Sequence, residues 1–306
     1  WAVGYSTIRL GDRAGETTQG EAAVAVGAAA GQSNQQAYGV AIGSSAAQSS
    51  QGFHSVAIGA SAGQFAQDQQ SIAIGNSAGQ SNQQGFAVAI GHVAGVSSQQ
   101  SSAIAIGTVA GRYNQGVQAI SVGQWAGMVD QSGAAIAIGR AAGSNSQAVL
   151  AVAIGANAGQ IRQDQRSVAI GSGAGFTDQD AYSVAIGNAA GNANQSTNSV
   201  AIGANAGLNA QQDSAVAIGV GAGRGDYIPQ GSGAVAVGCS AGVFGQSNYA
   251  IAVGHSAGAG YNSVNGYEAI AIGHFAGAGS QYSNAIAIGT NAGLSNQREN
   301  SLAIGN

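Results

Sequence analysis

Lysine is absent from this sequence, while proline, cysteine and methionine occur once each and only 7% of residues are charged. Each scarcity closes off a class of protein. All eight basic residues are arginines and the net charge is −4, so no basic footprint for nucleic acid exists. The single Cys239 excludes an intrachain disulfide and a cysteine metal cluster. No apolar run approaches the roughly 18 residues of a membrane-spanning helix. Without lysine, the Gly219-Val220-Gly221-Ala222-Gly223 run has no P-loop chemistry, which also needs a following helix. Residues 1–20 begin at Trp1 and show no charged-then-apolar leader, the expectation for a processed chain or a segment of a longer one. Low charge with many β-branched residues also sets the chain apart from disordered sequences.

What is abundant is glycine, 52 residues in 306, and it is periodic. A marker Gly closes each Ala-Ile-Gly or Ala-Val-Gly, and every step from Gly11 to Gly219 is 16 residues. The series continues through Gly238, Gly254, Gly273, Gly289 and Gly305, with two steps lengthened to 19. Around each marker, bulky Val, Ile or Leu alternates with small residues, as in Ser71-Ile72-Ala73-Ile74-Gly75. Such alternation with β-branched enrichment predicts a short strand. The Gly-x-x-Ala-Gly that follows predicts a bend, and the polar residues beyond it a second one. Identical units of this kind bury their faces only by stacking on one another. The predicted fold is therefore all-β: a parallel β-solenoid, or β-roll, of about 19 coils with 16 residues per coil, occupying 1–306 as a single repeat domain. Three-residue insertions near 224–229 and 259–264 interrupt it.

One polar position is fixed. Eight residues after the marker stand Gln19, Gln35, Gln51, Gln67, Gln83, Gln99, Gln115, Gln131, Gln147, Gln163, Gln179, Gln195 and Gln211. Beyond the insertions the position continues as Gln230, Gln246, Gln281 and Gln297, with Asn265 the exception. A fixed amide among drifting polar neighbours predicts an inward ladder of side-chain amides bonded along the stack. The strand alternation is read with Val and Ile inside and the small residues outside. On that reading Ala25, Ala41, Ala57, Ala73, Ala89, Ala105, Ala137 and Ala153 form a flat outer stripe through which identical chains pack.

The units resemble a known pattern. Ser55-Val56-Ala57-Ile58-Gly59 and its equivalents are similar to the repeats of YadA-like trimeric autotransporter adhesin heads, and to Ala-Ile-Gly repeats of phage and giant-virus fibre proteins. The resemblance covers essentially the whole chain, although each unit here is longer than the adhesin unit and carries an added Gly and the fixed Gln. It implies a parallel β-roll associated as a homotrimer or other homo-oligomer, on a cell or virion surface. The expected function is an extracellular structural fibre or adhesin rod, with a surface receptor or matrix as further partner. Two alternatives are an ice-binding solenoid, using the flat alanine stripe, and a filament that stacks end to end.

No catalytic, cofactor or metal site is assigned. Gly59-Ala60-Ser61-Ala62-Gly63 and the equivalents around Ser77, Ser240 and Ser256 match a nucleophile elbow, but that motif needs a strand-to-helix turn with His and Asp partners. His255 and His274 share the position after the marker one coil apart, the one arrangement in which a metal pair is conceivable. The insertions carry Arg224, Gly225, Asp226, Tyr227 and Tyr261; they are expected to protrude on one edge as partner-binding loops, and Arg-Gly-Asp resembles the integrin-binding tripeptide.

Overall fold

A computed structural model describes residues 7–226, 228–260 and 266–306. The chain folds as an all-β parallel solenoid, without a helix among the described residues. It divides into two compact units, Trp1–Leu150 and Ala151–Asn306. In the first, nine strands from Ile8–Leu10 to Ile136–Ile138 form one row, and nine from Thr17–Gln19 to Asn145–Gln147 form another. In the second, the apolar row has ten strands, Val152–Ile154 to Leu302–Ile304. Its Gln row has four, Ile161–Gln163 to Asn209–Gln211, and continues as isolated bridges at Gln230, Gln246, Gln281 and Gln297.

Register follows the repeat residue for residue. Val56 pairs with Ile72, Ala57 with Ala73 and Ile58 with Ile74. In the Gln row only outer residues pair, for example Ser81 with Phe65 and Gln83 with Gln67. The reason is a left-handed residue at the centre of each triplet: φ is 59° at Ser50, 55° at Asn82 and 52° at Asp130. Extended pairing cannot pass through that conformation, so this row is an arc of bridged corners.

Further left-handed residues turn each coil: φ is 54° at Ser77, 53° at Gly79 and 62° at Phe86 within one turn. Gly91 shows why the marker is glycine. Its φ is +130°, and an added Cβ would lie 2.6 Å from the carbonyl oxygen of Gly107 on the next coil. Both the conformation and the close stacking forbid a side chain.

These corners set which side chains fit inside, and they reverse the expected facing. Ala25, Ala41, Ala57, Ala73, Ala89, Ala105, Ala137 and Ala153 are all 0% exposed. They form no outer stripe. Two further rows, represented by Ala87 and Ala94, are equally buried. The Val and Ile that alternate with them point outward: Val56 and Val88 are half-buried, and Ile58 and Ile170 are each 36% exposed. The cause is lumen size. A Cβ on Gly63 would meet Gln67 Oε1 at 2.5 Å and Ala57 Cβ at 3.1 Å, so methyl groups and one amide already fill the coil. A branched side chain has no space there.

This packing generates a test. Ala89→Val overfills the lumen and is expected to cost about 1–3 kcal/mol in urea unfolding followed by circular dichroism. Ile90→Val, one residue on and facing out, is expected to cost less than the ~0.5–1.5 kcal/mol of a buried site. The opposite order would overturn the assignment of faces.

Candidate functional site

The fixed Gln side chains lie inside, Gln35 to Gln246 being at most 1% exposed where described. Most of the amides are held in the same way. Gln99 Nε2 donates to the Val88 carbonyl at 2.8 Å, the Ala103 carbonyl at 3.2 Å and Gln115 Oε1 at 3.1 Å. In the first unit the amide-to-amide step recurs from Gln51 through Gln67, Gln83, Gln99, Gln115 and Gln131 to Gln147. In the second it runs from Gln163 through Gln179, Gln195, Gln211 and Gln230 to Gln246, and from Gln281 to Gln297. Gln19, on an outer coil, also accepts from Arg9 Nε at 2.5 Å. A carboxamide suits this position because its two N–H groups and its oxygen serve donors and acceptors of neighbouring coils at once.

Glycine four residues after the marker makes room for the amide: a Cβ on Gly95 would sit 2.7 Å from Gln99 Oε1. Ala47 is the one departure in the sequence. There Gln51 Oε1 has no hydrogen-bond partner. Ser121, which replaces the usual Ala, joins the column instead. Its hydroxyl donates to Gln131 Oε1 at 2.6 Å and lies 3.2 Å from Gln115 Nε2.

Two surface features escaped the sequence reading. A second, outer amide ladder links Gln80 to Gln64, Gln64 to Gln48, Gln48 to Gln32 and Gln32 to Glu16, at 2.7–3.2 Å. Its signal was present as five amide or carboxylate residues spaced by 16. A shallow polar groove, lined by Asn34, Gln36, Asp68, Asn82, Gln84 and Ser98 among others, runs beside the inner column in the first unit. Only the periodic polarity of its two edges foreshadowed it.

Among predicted site residues, Arg224, Gly225 and Asp226 do not form a free protruding loop. Asn209 N–H donates to the Arg224 carbonyl at 3.0 Å and Asp226 N–H to the Val243 carbonyl at 3.2 Å, so neighbouring coils hold the segment on both sides. Arg224 Nε and Asp226 Oδ1 lie 2.9 Å apart, so the charges of the tripeptide satisfy each other. Tyr227 and Tyr261 lie outside the described residues. Ser61, Ser77, Ser240 and Ser256 sit at the left-handed corner two residues after the marker, with φ of 52–55°. No helix follows them.

Electrostatics are sparse. Asp180 is the notable carboxylate: partial burial raises its pKa, and Asp164, Asp213 and Asp178 raise it further, against a lowering effect of Arg162. A carboxylate whose folded pKa is raised binds more protons folded than unfolded, so its ionisation lowers stability as pH rises above about 4. Asp180→Asn is therefore expected to raise Tm at neutral pH, with the gain vanishing at acid pH where both states are protonated. A thermal-melt series across pH checks the sign.

The column makes a sharper prediction. Gln99→Ala removes the bonds from Gln99 Nε2 to the Val88 and Ala103 carbonyls and takes from the buried Gln115 Oε1 its donor, while Gln83 Nε2 keeps its bonds to the Ile72 and Ala87 carbonyls; the expected cost is about 1–3 kcal/mol. Gln64→Ala, on the outer ladder, is expected to change stability by less than about 1 kcal/mol. Urea unfolding of both variants measures the difference.

Comparison with protein-family models and with curated protein sequences finds no match to the chain.

Proposed function

We propose that the chain is a structural fibre or adhesin segment, placed on a cell or virion surface, that works by assembling with copies of itself. The observation that carries this reading is the outer apolar face. Within each unit, paired Val and Ile columns stand outside the coil, half-buried or exposed, on every strand of the row. Exposed rows of β-branched side chains are costly in water and mark an interaction surface. The face carries no charge along Val40–Ile42, Val56–Ile58, Ile72–Ile74, Val88–Ile90 and Ile104–Ile106.

A second copy of the chain is the occupant that fits best. Columns repeating at the strand spacing of about 4.8 Å are matched along their length only by a surface with the same spacing. Another solenoid of this sequence supplies it, with interdigitating branched side chains and no buried charge. The resemblance of the repeat to adhesin heads and virion fibres favours a trimer and an extracellular setting. The assembly face is thus the Val and Ile columns, in place of the alanine rows, which are interior. Ice binding loses its support by the same finding, because it required the alanines to be an exposed flat stripe.

In this role the chain is a mechanical element and carries out no reaction. Its test is the state of association. Sedimentation equilibrium at micromolar concentration is expected to give a multiple of the 29.5 kDa chain mass. Ile58→Lys with Ile90→Lys is expected to return it to monomer with an unchanged circular-dichroism spectrum, since an unpaired charge is not buried without a cost of several kcal/mol. A monomeric wild type, or a variant that associates as before, would count against the proposal.

A further inference from the structure

Four histidines occur in the sequence, and two of them meet. His255 follows marker Gly254 and His274 follows marker Gly273. The strands ahead of them pair in parallel register, Val253 with Ile272, and Gly273 N–H donates to the Val253 carbonyl at 2.8 Å. Phe275 N–H donates to the His255 carbonyl at 3.0 Å. The backbone on both sides of each histidine is therefore tied across the two coils, and the imidazoles start from fixed, adjacent positions. Their ring centroids are 5.2 Å apart with planes tilted by 35°. Phe275 meets both edge-on, at 5.5 Å from His255 and 4.3 Å from His274, which restricts the rotamers of the pair. Both imidazoles are exposed.

We propose that His255 and His274 form a two-imidazole site for a borderline divalent transition ion of the zinc, nickel and copper class. The geometry suits the chemistry. Metal–nitrogen bonds of about 2.0–2.1 Å place two imidazole centroids roughly 5 Å apart on a tetrahedral ion, and that is the spacing held here. Imidazole selects this class of ion over calcium or magnesium, which take oxygen ligands. Among the described residues no three His, Cys, Asp or Glu side chains come together as a metal-binding group. The protein thus supplies two ligands, and water completes the shell. Cys239 occupies the same position one coil earlier and is exposed, but its Sγ lies 3.8 Å from Ser240 Oγ and it is not assigned to the shell.

The molecule contains its own control. His92 also follows a marker, Gly91, but Asn76 and Thr108 occupy that position on the coils before and after it. It offers one exposed imidazole where the proposed site offers two. Isothermal titration of the full chain with Ni²⁺ or Zn²⁺ at about pH 7.5 is expected to show one ion per chain. Loss of a residue that merely orients a ligand already weakens metal binding about tenfold or more. His255→Gln and His274→Gln are each expected to weaken affinity by at least that factor, and His92→Gln to leave it unchanged. Binding that survives either of the first two substitutions overturns the proposal. So does equal weakening by His92→Gln, or a stoichiometry of one ion per two chains with a doubling of mass. Circular dichroism of each variant separates loss of ligand from loss of fold.

Discussion

The structure depends on how little fits inside one coil. Sixteen residues turned through several left-handed corners enclose space for methyl groups and a single carboxamide, and every other choice in the repeat follows. The carboxamide cannot be buried without partners, so it must bond to backbone carbonyls of its own coil and to the amide of the next. That requirement fixes the stacking register as firmly as the strand ladders do. Glycine four residues after the marker is required because the amide oxygen lies where a side chain would stand. Lumen, amide and glycine form one constraint seen from three positions.

Burial of apolar area therefore plays an unusual part. In most solenoids the interior collects the large branched side chains, and the outside is polar. Here the interior is alanine and glutamine, while valine and isoleucine line the outside of the same strands. Polar complementarity specifies the coil, and the larger hydrophobic side chains are left available for contact with something else. The division accounts for part of the repeat's low charge: one face of every coil is built of apolar columns.

Much of this was legible from residues. The sixteen-residue period, the strand at each Val-Ala-Ile, the parallel stacking and the inward amide column all follow from spacing and residue type. The facing of the strand did not follow, because a period-two alternation distinguishes two faces without saying which is inside. A subtler signal was present. The position two before the marker admits almost nothing but Ala, whereas the positions beside it exchange Val, Ile and Leu freely. Tolerance of size belongs to an open face and intolerance to a filled one. The left-handed centre of the Gln triplet was less accessible, since Ser50, Asn82, Asp130 and Arg162 share no conformational preference strong enough to reveal it. That conformation is imposed by the stack.

Ala47 and Ser121 show how tightly sequence and column are joined. A methyl group in place of one glycine coincides with an amide oxygen left without a partner, and Ala47 itself is fully buried. A hydroxyl in place of one alanine methyl does the reverse and adds a hydrogen bond to Gln131. Both substitutions add a single heavy atom, and the hydroxyl of Ser121 is taken up directly into the column. A lumen that registers one atom has no latitude for a branched side chain. The valines and isoleucines are therefore outside by necessity, and the apolar face they build is a consequence of the amide column within.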